Sequence, residues 1–382
     1  MYHCFATTNK GLEQLLIKEL TNLGAVDTSA VHAGVKFSAN LDTIMQINLY
    51  SRLASRVMLQ VAYGEYQDEM DIYNLVHTIN WSDWFSVDKS IKVSTTAKNS
   101  PLRSLEFITL KVKDAICDNF VAKVNKRPDV NKYQPDIGIY NFLTADSITI
   151  YLDTSGEGLF KRGYRQSKLE APLKENLAAG LIQLTNWHPD TPFYDPMCGS
   201  GTLAIEAISY ALNLAPGLNR SFAFEKFNHF EVNKWNQFKL AAKQKINYSQ
   251  KLQIYASDIN SKAISIAKSN FEYLRLSAYI NFDAGDFLTK SAPADHGLLI
   301  TNLPYGIRLD EEERLAAFYP LLGSHLKKNY ANWNCYFLTA DLRLPKLMHL
   351  KPSRKIPLYN GALDCRVFEF KMVSGSNRHN KQ

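Results

Sequence analysis

The sequence predicts an α/β chain of more than one domain, and three observations carry that reading. From Pro172 onward, short apolar segments alternate with segments of helical period, the pattern of a parallel sheet with crossover helices. The octapeptide Asp195-Pro196-Met197-Cys198-Gly199-Ser200-Gly201-Thr202 follows an apolar-aromatic stretch and opens the run Leu203 to Ile208. That is a strand, a tight glycine turn and a helix start. The length, 382 residues, suits two or three domains better than one.

Residues 1–65 read as a small α/β unit. Tyr2 to Thr7 is a strand, and Leu12, Leu15, Leu16, Leu20 and Leu23 fall near helical spacing before Gly24 ends the helix. Val31 to Phe37 reads as a second strand, Leu41 to Leu49 as a second helix and Arg56 to Tyr63 as a third strand. Residues 66–160 form a second unit. Ile72 to Ile79 and Leu105 to Lys123 are helical; Ser90 to Thr96 and Ser147 to Asp153 alternate as strands. Gly156 to Arg165 carries three glycines with Lys161, Arg162 and Arg165, a hinge into a third unit, 161–382. There the strands are 193–195, 252–257, 280–284, 298–301, 335–339 and 367–373. The helices are 176–184, 202–214, 230–245, 263–274 and 312–326, and the polar end from Ser374 is frayed.

Composition narrows the function classes. The chain is 46% hydrophobic and 21% charged, and 44 Lys and Arg against 37 Asp and Glu leave +7, compatible with a phosphate-rich partner. No run of eighteen apolar residues occurs, so no membrane span is expected. The start Met1-Tyr2-His3-Cys4 lacks the pattern of a secretory signal. Five scattered cysteines, Cys4, Cys117, Cys198, Cys335 and Cys365, show neither metal-ligand spacing nor a disulfide framework, which predicts a cytoplasmic protein with reduced thiols and no metal. Nothing indicates assembly, and a monomer is expected.

The glycine turn is the candidate cofactor site. Ligands of open α/β sheets bind beyond the carboxyl ends of the strands, and Asp195 marks one such end. Cys198, Gly199, Ser200, Gly201 and Thr202 follow it; the glycines allow close backbone approach, and the helix start offers N–H groups to a carboxylate. Asp258, with Ile259 after it, ends the next strand and can accept from a ribose diol. Asp286 ends a third and can accept from an adenine amino group, with Phe287 stacking or packing nearby. Three such strand ends in succession predict a nucleoside-bearing cofactor.

The second element is Asn302-Leu303-Pro304-Tyr305-Gly306, directly after an apolar strand. The Asn302 side-chain carbonyl and the Leu303 backbone carbonyl can each accept one hydrogen from an exocyclic amine, and Tyr305 offers a stacking face. Pro304 stiffens the turn, and Arg308 and Asp310 are placed to clamp the loop or a phosphate. Asp295 and His296 precede the strand, at its far end from this loop. Read together, the two elements imply methyl transfer to the amine of a base. For RNA capture, Lys98, Arg103, Lys111, Lys113, Lys123, Lys126, Arg127 and Lys132 can form a phosphate track with Lys161, Arg162, Arg165 and Lys168. Trp81, Trp84 and Phe85 are spaced for core packing more than for base stacking.

These residues resemble the class I, S-adenosylmethionine-dependent amino-methyltransferases. More narrowly, the chain is similar to the THUMP-domain RNA guanine-N2 methyltransferases, a group that includes a bacterial 23S rRNA enzyme. Gly11-Leu12-Glu13, Glu19-Leu20, the junction Leu159 to Arg165 and Ala171 to Ala178 match alongside the two loops. The resemblance implies an N-terminal ferredoxin-like region at 1–65, an RNA-binding THUMP domain at 66–160 and a Rossmann-like methyltransferase domain at 161–382. It implies S-adenosylmethionine as cofactor and a guanine of 23S rRNA, or of its precursor particle, as target, with tRNA guanine as the alternative. Asn302 and Tyr305 would hold the base. Leu303 stands where the family usually has proline, which predicts a less rigid loop. A nicotinamide-dependent dehydrogenase shares the glycine turn but leaves residues 302–306 unexplained. A noncatalytic ribosome-assembly factor that kept the fold is the other competitor.

Overall fold

The computed structural model describes residues 1–165, 173–304 and 309–373. Its elements, in chain order, begin with β1 (Tyr2–Thr7), α1 (Glu13–Asn22), β2 (Val26–Val31), β3 (Gly34–Ala39), α2 (Leu41–Tyr50) and β4 (Arg56–Glu65). Next come α3 (Glu69–Thr78), α4 (Trp81–Trp84), β5 (Ile91–Ala97), α5 (Leu105–Val124), β6 (Ile137–Leu143) and β7 (Ser147–Asp153). Then follow α6 (Glu175–Leu184), β8 (Phe193–Asp195), α7 (Thr202–Ala211), α8 (Val232–Gln244), β9 (Ile254–Asp258), α9 (Ser261–Tyr273) and β10 (Asn281–Ala284). The last are β11 (Gly297–Asn302), α10 (Leu309–Asn329), β12 (Trp333–Thr339), α11 (Leu344–Leu347), β13 (Arg354–Asn360) and β14 (Leu363–Lys371). No helix among the described residues is long and apolar enough to cross a membrane.

The chain divides into two compact units. The first comprises Met1–Thr8, Leu16–Leu159 and Ala215–Gln244. Its sheet runs β2-β3-β1-β4-β7-β6-β5, antiparallel except for β5 beside β6. The expected strand Val31 to Phe37 is instead the turn of a hairpin: β2 and β3 flank His32 and Ala33, and Ala33 sits at φ +54°. The strand β6 alternates buried and half-exposed residues, a period-2 signal that the sequence reading passed over. β4 pairs with β1 on one side and with β7 on the other, so residues on both sides of position 65 share one sheet. Buried Glu19 accepts from the Ser51 hydroxyl and from the Arg52 and Leu53 amides, tying α1 to the turn after α2.

The segment 215–244 belongs to this first unit, although it follows α7 in sequence. Trp235 of α8 is 1% exposed and meets the rings of Phe222 and Phe224 edge-on at 5.6 and 5.1 Å. Arg220 donates to the carbonyls of Gly158 (2.9 Å) and Ser155 (3.4 Å), and Lys226 pairs with Asp136 at 2.7 Å.

The second unit comprises Asn9–Leu15, Phe160–Leu214 and Lys245–Gln382. Its sheet runs β10-β9-β8-β11-β12-β14-β13; the pairs from β10 to β12 are parallel and the last two antiparallel. β11 is apolar throughout because both its faces are covered. Leu298 and Ile300 enter a core with α6, α7 and α9, while Leu299 and Leu303 enter another with α10 and the aromatic residues of β12 and β14. The order turns back at β8, which lies between β9 and β11. Such a reversal opens a crevice at the carboxyl ends of the strands.

Because Trp235 anchors 215–244, Trp235→Ala is expected to destabilise the first unit by about 3–5 kcal/mol. Calorimetric unfolding would show the transition of that unit moving down alone.

Candidate active site

Three adjacent strand ends face the crevice. Asp195 of β8 stands opposite Ala256 of β9, so Asp258 lies two residues beyond it, and Asp258 in turn stands opposite Ala284 of β10. On the other side Leu299 of β11 stands opposite Tyr194. Asn302 is therefore two residues past the level of Asp195, about 7 Å along the sheet and about 5 Å across.

The turn after β8 is held by backbone bonds. The Cys198 amide donates to the Ser257 carbonyl at 2.9 Å, the Gly201 amide to the Cys198 carbonyl at 2.8 Å, and the Gly199 amide to Asp258 Oδ2 at 2.9 Å. Asp258 Oδ1 accepts from the Asn260 amide at 2.9 Å. Asp258 thus fixes the turn and still keeps lone pairs for a diol. The two glycines serve different ends. At Gly199, φ is +53° and an added Cβ would meet nothing within 4 Å, so the turn faces open space there. At Gly201, φ is +82° and an added Cβ would come within 3.0 Å of the Phe271 ring, so this glycine lets α7 approach α9. Ile259 is 73% exposed beside Asp258, an apolar surface that a bound nucleoside would cover. These features fit an adenosyl cofactor.

Other candidates need correction. The Cys198 thiol is buried in the core, where burial pushes it well above its ordinary range, so this residue serves the site through its backbone. The Phe287 ring is equally buried, against His325, Tyr330 and Tyr194 at 5.0, 5.3 and 6.1 Å, and gives no open stacking face. Asp286 accepts from the Leu288 amide at 2.9 Å, capping a single turn. Leu303 is fully buried, and its amide donates to the Leu338 carbonyl at 3.0 Å, a bond that proline could not make. The leucine therefore anchors the start of the loop, contrary to the expected loosening. Asn302 is half-buried and Pro304 exposed. Tyr305, Gly306 and Arg308 lie outside the described residues, as do Lys168 and the end from Ser374.

The proposed phosphate track is partly consumed by the fold. Arg162 pairs with buried Glu206 at 3.5 Å and Arg165 with Glu175 at 2.7 Å. Arg127 and Lys113 share Asp114, Lys126 meets Asp88, and Lys123 donates to Asn80. Lys98, Arg103 and Lys132 are exposed. Trp81 and Phe85 are fully buried, as their spacing implies. Sequence reasoning missed Asn270, whose buried side-chain amide donates to the Ser200 carbonyl at 3.1 Å; nothing local marks a helical asparagine for that task.

Asp195 is 1% exposed. Burial pushes its carboxyl up to about 7, aided by nearby Asp258 and opposed by Thr301 and the Met197 amide. The ordinary value is 3.8, so between these limits the unfolded chain is ionised while the folded one keeps its proton. The associated stability is complete below pH 4 and is lost as pH rises through 7. From pH 5 to pH 8 the wild type should lose on the order of 3 kcal/mol that Asp195→Asn does not lose. Urea denaturation at the two pH values measures the difference.

Comparison with known proteins adds three segments. Residues 162–369 match the RMKL-like methyltransferase domain, 66–153 the THUMP domain and 3–58 the RlmL ferredoxin-like domain. A Synechocystis sp. protein, slr0064, named as a candidate RNA methyltransferase, is 34% identical over 369 residues, 96% of each chain. The crystal structure of SMU.472, a candidate methyltransferase complexed with S-adenosylhomocysteine, superposes with a TM-score of 0.90 at 30% identity, over 98% of this chain and 99% of that one. A predicted N6-adenine-specific DNA methylase from Listeria monocytogenes gives 0.88 at 31% identity, over 97% and 96%. The chain belongs to the family of RMKL-like methyltransferase domains: it is a THUMP-domain-containing class I methyltransferase that uses S-adenosylmethionine, related to the RlmL family of RNA methyltransferases.

Proposed function

We propose that the protein methylates the N2 amine of one guanine in 23S rRNA, in the cytoplasm and as a monomer. In this reading 1–65 is the ferredoxin-like region, 66–160 the RNA-capturing THUMP domain and 161–382 the catalytic domain. The observation that carries it is the adjacency of two strand ends: the glycine turn after β8 and Asn302 at the end of β11 open on the same crevice. The THUMP match favours RNA over DNA as substrate.

When bound, S-adenosylmethionine supplies an electrophilic methyl group on a sulfonium. Asp258 takes the ribose hydroxyls, Ile259 covers the nucleoside, Asp286 accepts from the adenine amine, and Gly199 keeps the turn clear of the ligand. The amine of guanine is a weak nucleophile because its lone pair is shared with the ring. The Asn302 side-chain carbonyl and the Leu303 backbone carbonyl each accept one of its hydrogens and aim the lone pair into the crevice. Both acceptors are neutral, so the proton shed by the nitrogen passes to water. Tyr305 supplies the stacking face and Pro304 holds the turn. A guanine within folded RNA must leave its stack to reach Asn302.

Asn302→Ala should lower methyl transfer to RNA roughly 100-fold or more through lost orientation, with cofactor affinity unchanged. Scintillation counting of labelled methyl groups and calorimetric titration measure the two. Digestion of 23S rRNA from a deletion strain, followed by mass spectrometry, should reveal one missing N2-methylguanosine. Loss of that mark from tRNA, with rRNA intact, transfers the substrate to tRNA.

A further inference from the structure

The helix α7 begins without a side-chain cap: its N-cap is Gly201. The first residues, Thr202, Leu203 and Ala204, are 4%, 3% and 0% exposed, and the first α-helical bond is the Ile205 amide to the Gly201 carbonyl at 2.9 Å. A buried, uncapped helix start has N–H groups that require an acceptor, and its positive end favours an anion.

The same place holds a guanidinium. Arg165 donates through Nε to Glu175 at 2.7 Å and through a terminal nitrogen to the Leu173 carbonyl. Its outer edge reaches Thr202 Oγ1 at 3.2 Å and Ser200 Oγ at 3.4 Å. Arginine can only donate, so both hydroxyls act as acceptors towards it. One of their two protons can be spent on the 3.4 Å contact between them, which leaves at least one directed elsewhere. Gly199, next to Ser200, faces open space.

We propose that Arg165 is a positioning residue for the amino-acid end of the cofactor. It acts through Ser200 and Thr202, turning a hydroxyl proton outward beside the bare N–H groups of α7, so that the three together receive the carboxylate. Glu175 holds the guanidinium in place and balances its charge. The adenosyl end is left to Asp258 and Ile259. This inference rests on S-adenosylmethionine being the cofactor.

The test compares S-adenosylhomocysteine with 5′-methylthioadenosine, which keeps the adenosyl thioether and lacks the amino-acid group. Arg165→Gln combined with Glu175→Gln preserves charge balance, since the arginine variant alone would strand a buried carboxylate. By isothermal titration, this variant should bind S-adenosylhomocysteine about 10- to 100-fold more weakly, the range for a charge-assisted hydrogen bond, and methylthioadenosine within about threefold of wild type. Thr202→Val, nearly isosteric, should weaken S-adenosylhomocysteine selectively as well. Equal weakening of both ligands, or none, overturns the proposal. Wild-type protein that binds neither ligand overturns the cofactor assignment instead.

Discussion

A single hydrogen bond, from the Gly199 amide to the carboxylate of Asp258, joins two strand ends on which the remaining site geometry depends. It pins the turn after β8 to the end of β9, and the bond from Cys198 to Ser257 doubles the attachment. The parallel register then carries the alignment across the sheet, from β9 to β10 on one side and from β8 to β11 on the other. Charged and polar groups therefore meet at one rim although they come from segments far apart in sequence.

Much of this was legible in the residues themselves. The octapeptide from Asp195 to Thr202 specifies its own turn, because glycine at two positive-φ positions leaves few alternatives. β11 declared itself by an unbroken apolar run ending at a polar residue. What could not be read was the direction of side chains. Cys198 and Phe287 sit among ligand-binding candidates in sequence, yet the pleat and the helix turns send both into the core. Arg162 and Arg165 look like surface cations beside glycines, yet their carboxylate partners, Glu206 and Glu175, come from helices that local patterning cannot pair with them. The hairpin of β2 and β3 was misread because Ala33 adopts a left-handed conformation that its side chain does not advertise.

The segment 215–244 illustrates a different limit. Its helix is visible in the periodicity, but periodicity does not tell which core a helix joins. The aromatic cluster of Phe222, Phe224 and Trp235 gives it to the first unit. That detour also accounts for the long interval between the glycine turn and Asp258.

The shared strand β4 bears on how the N-terminal half can be divided. Its outer residues bond to β7 from Ser147 to Asp153, while its other edge serves β1. A fragment cut at residue 66 would leave β7 with a bare row of amides and carbonyls, an edge ready to add strands from other molecules. An isolated THUMP fragment of this chain would thus tend to aggregate, and the piece able to stand alone must carry β4 with it.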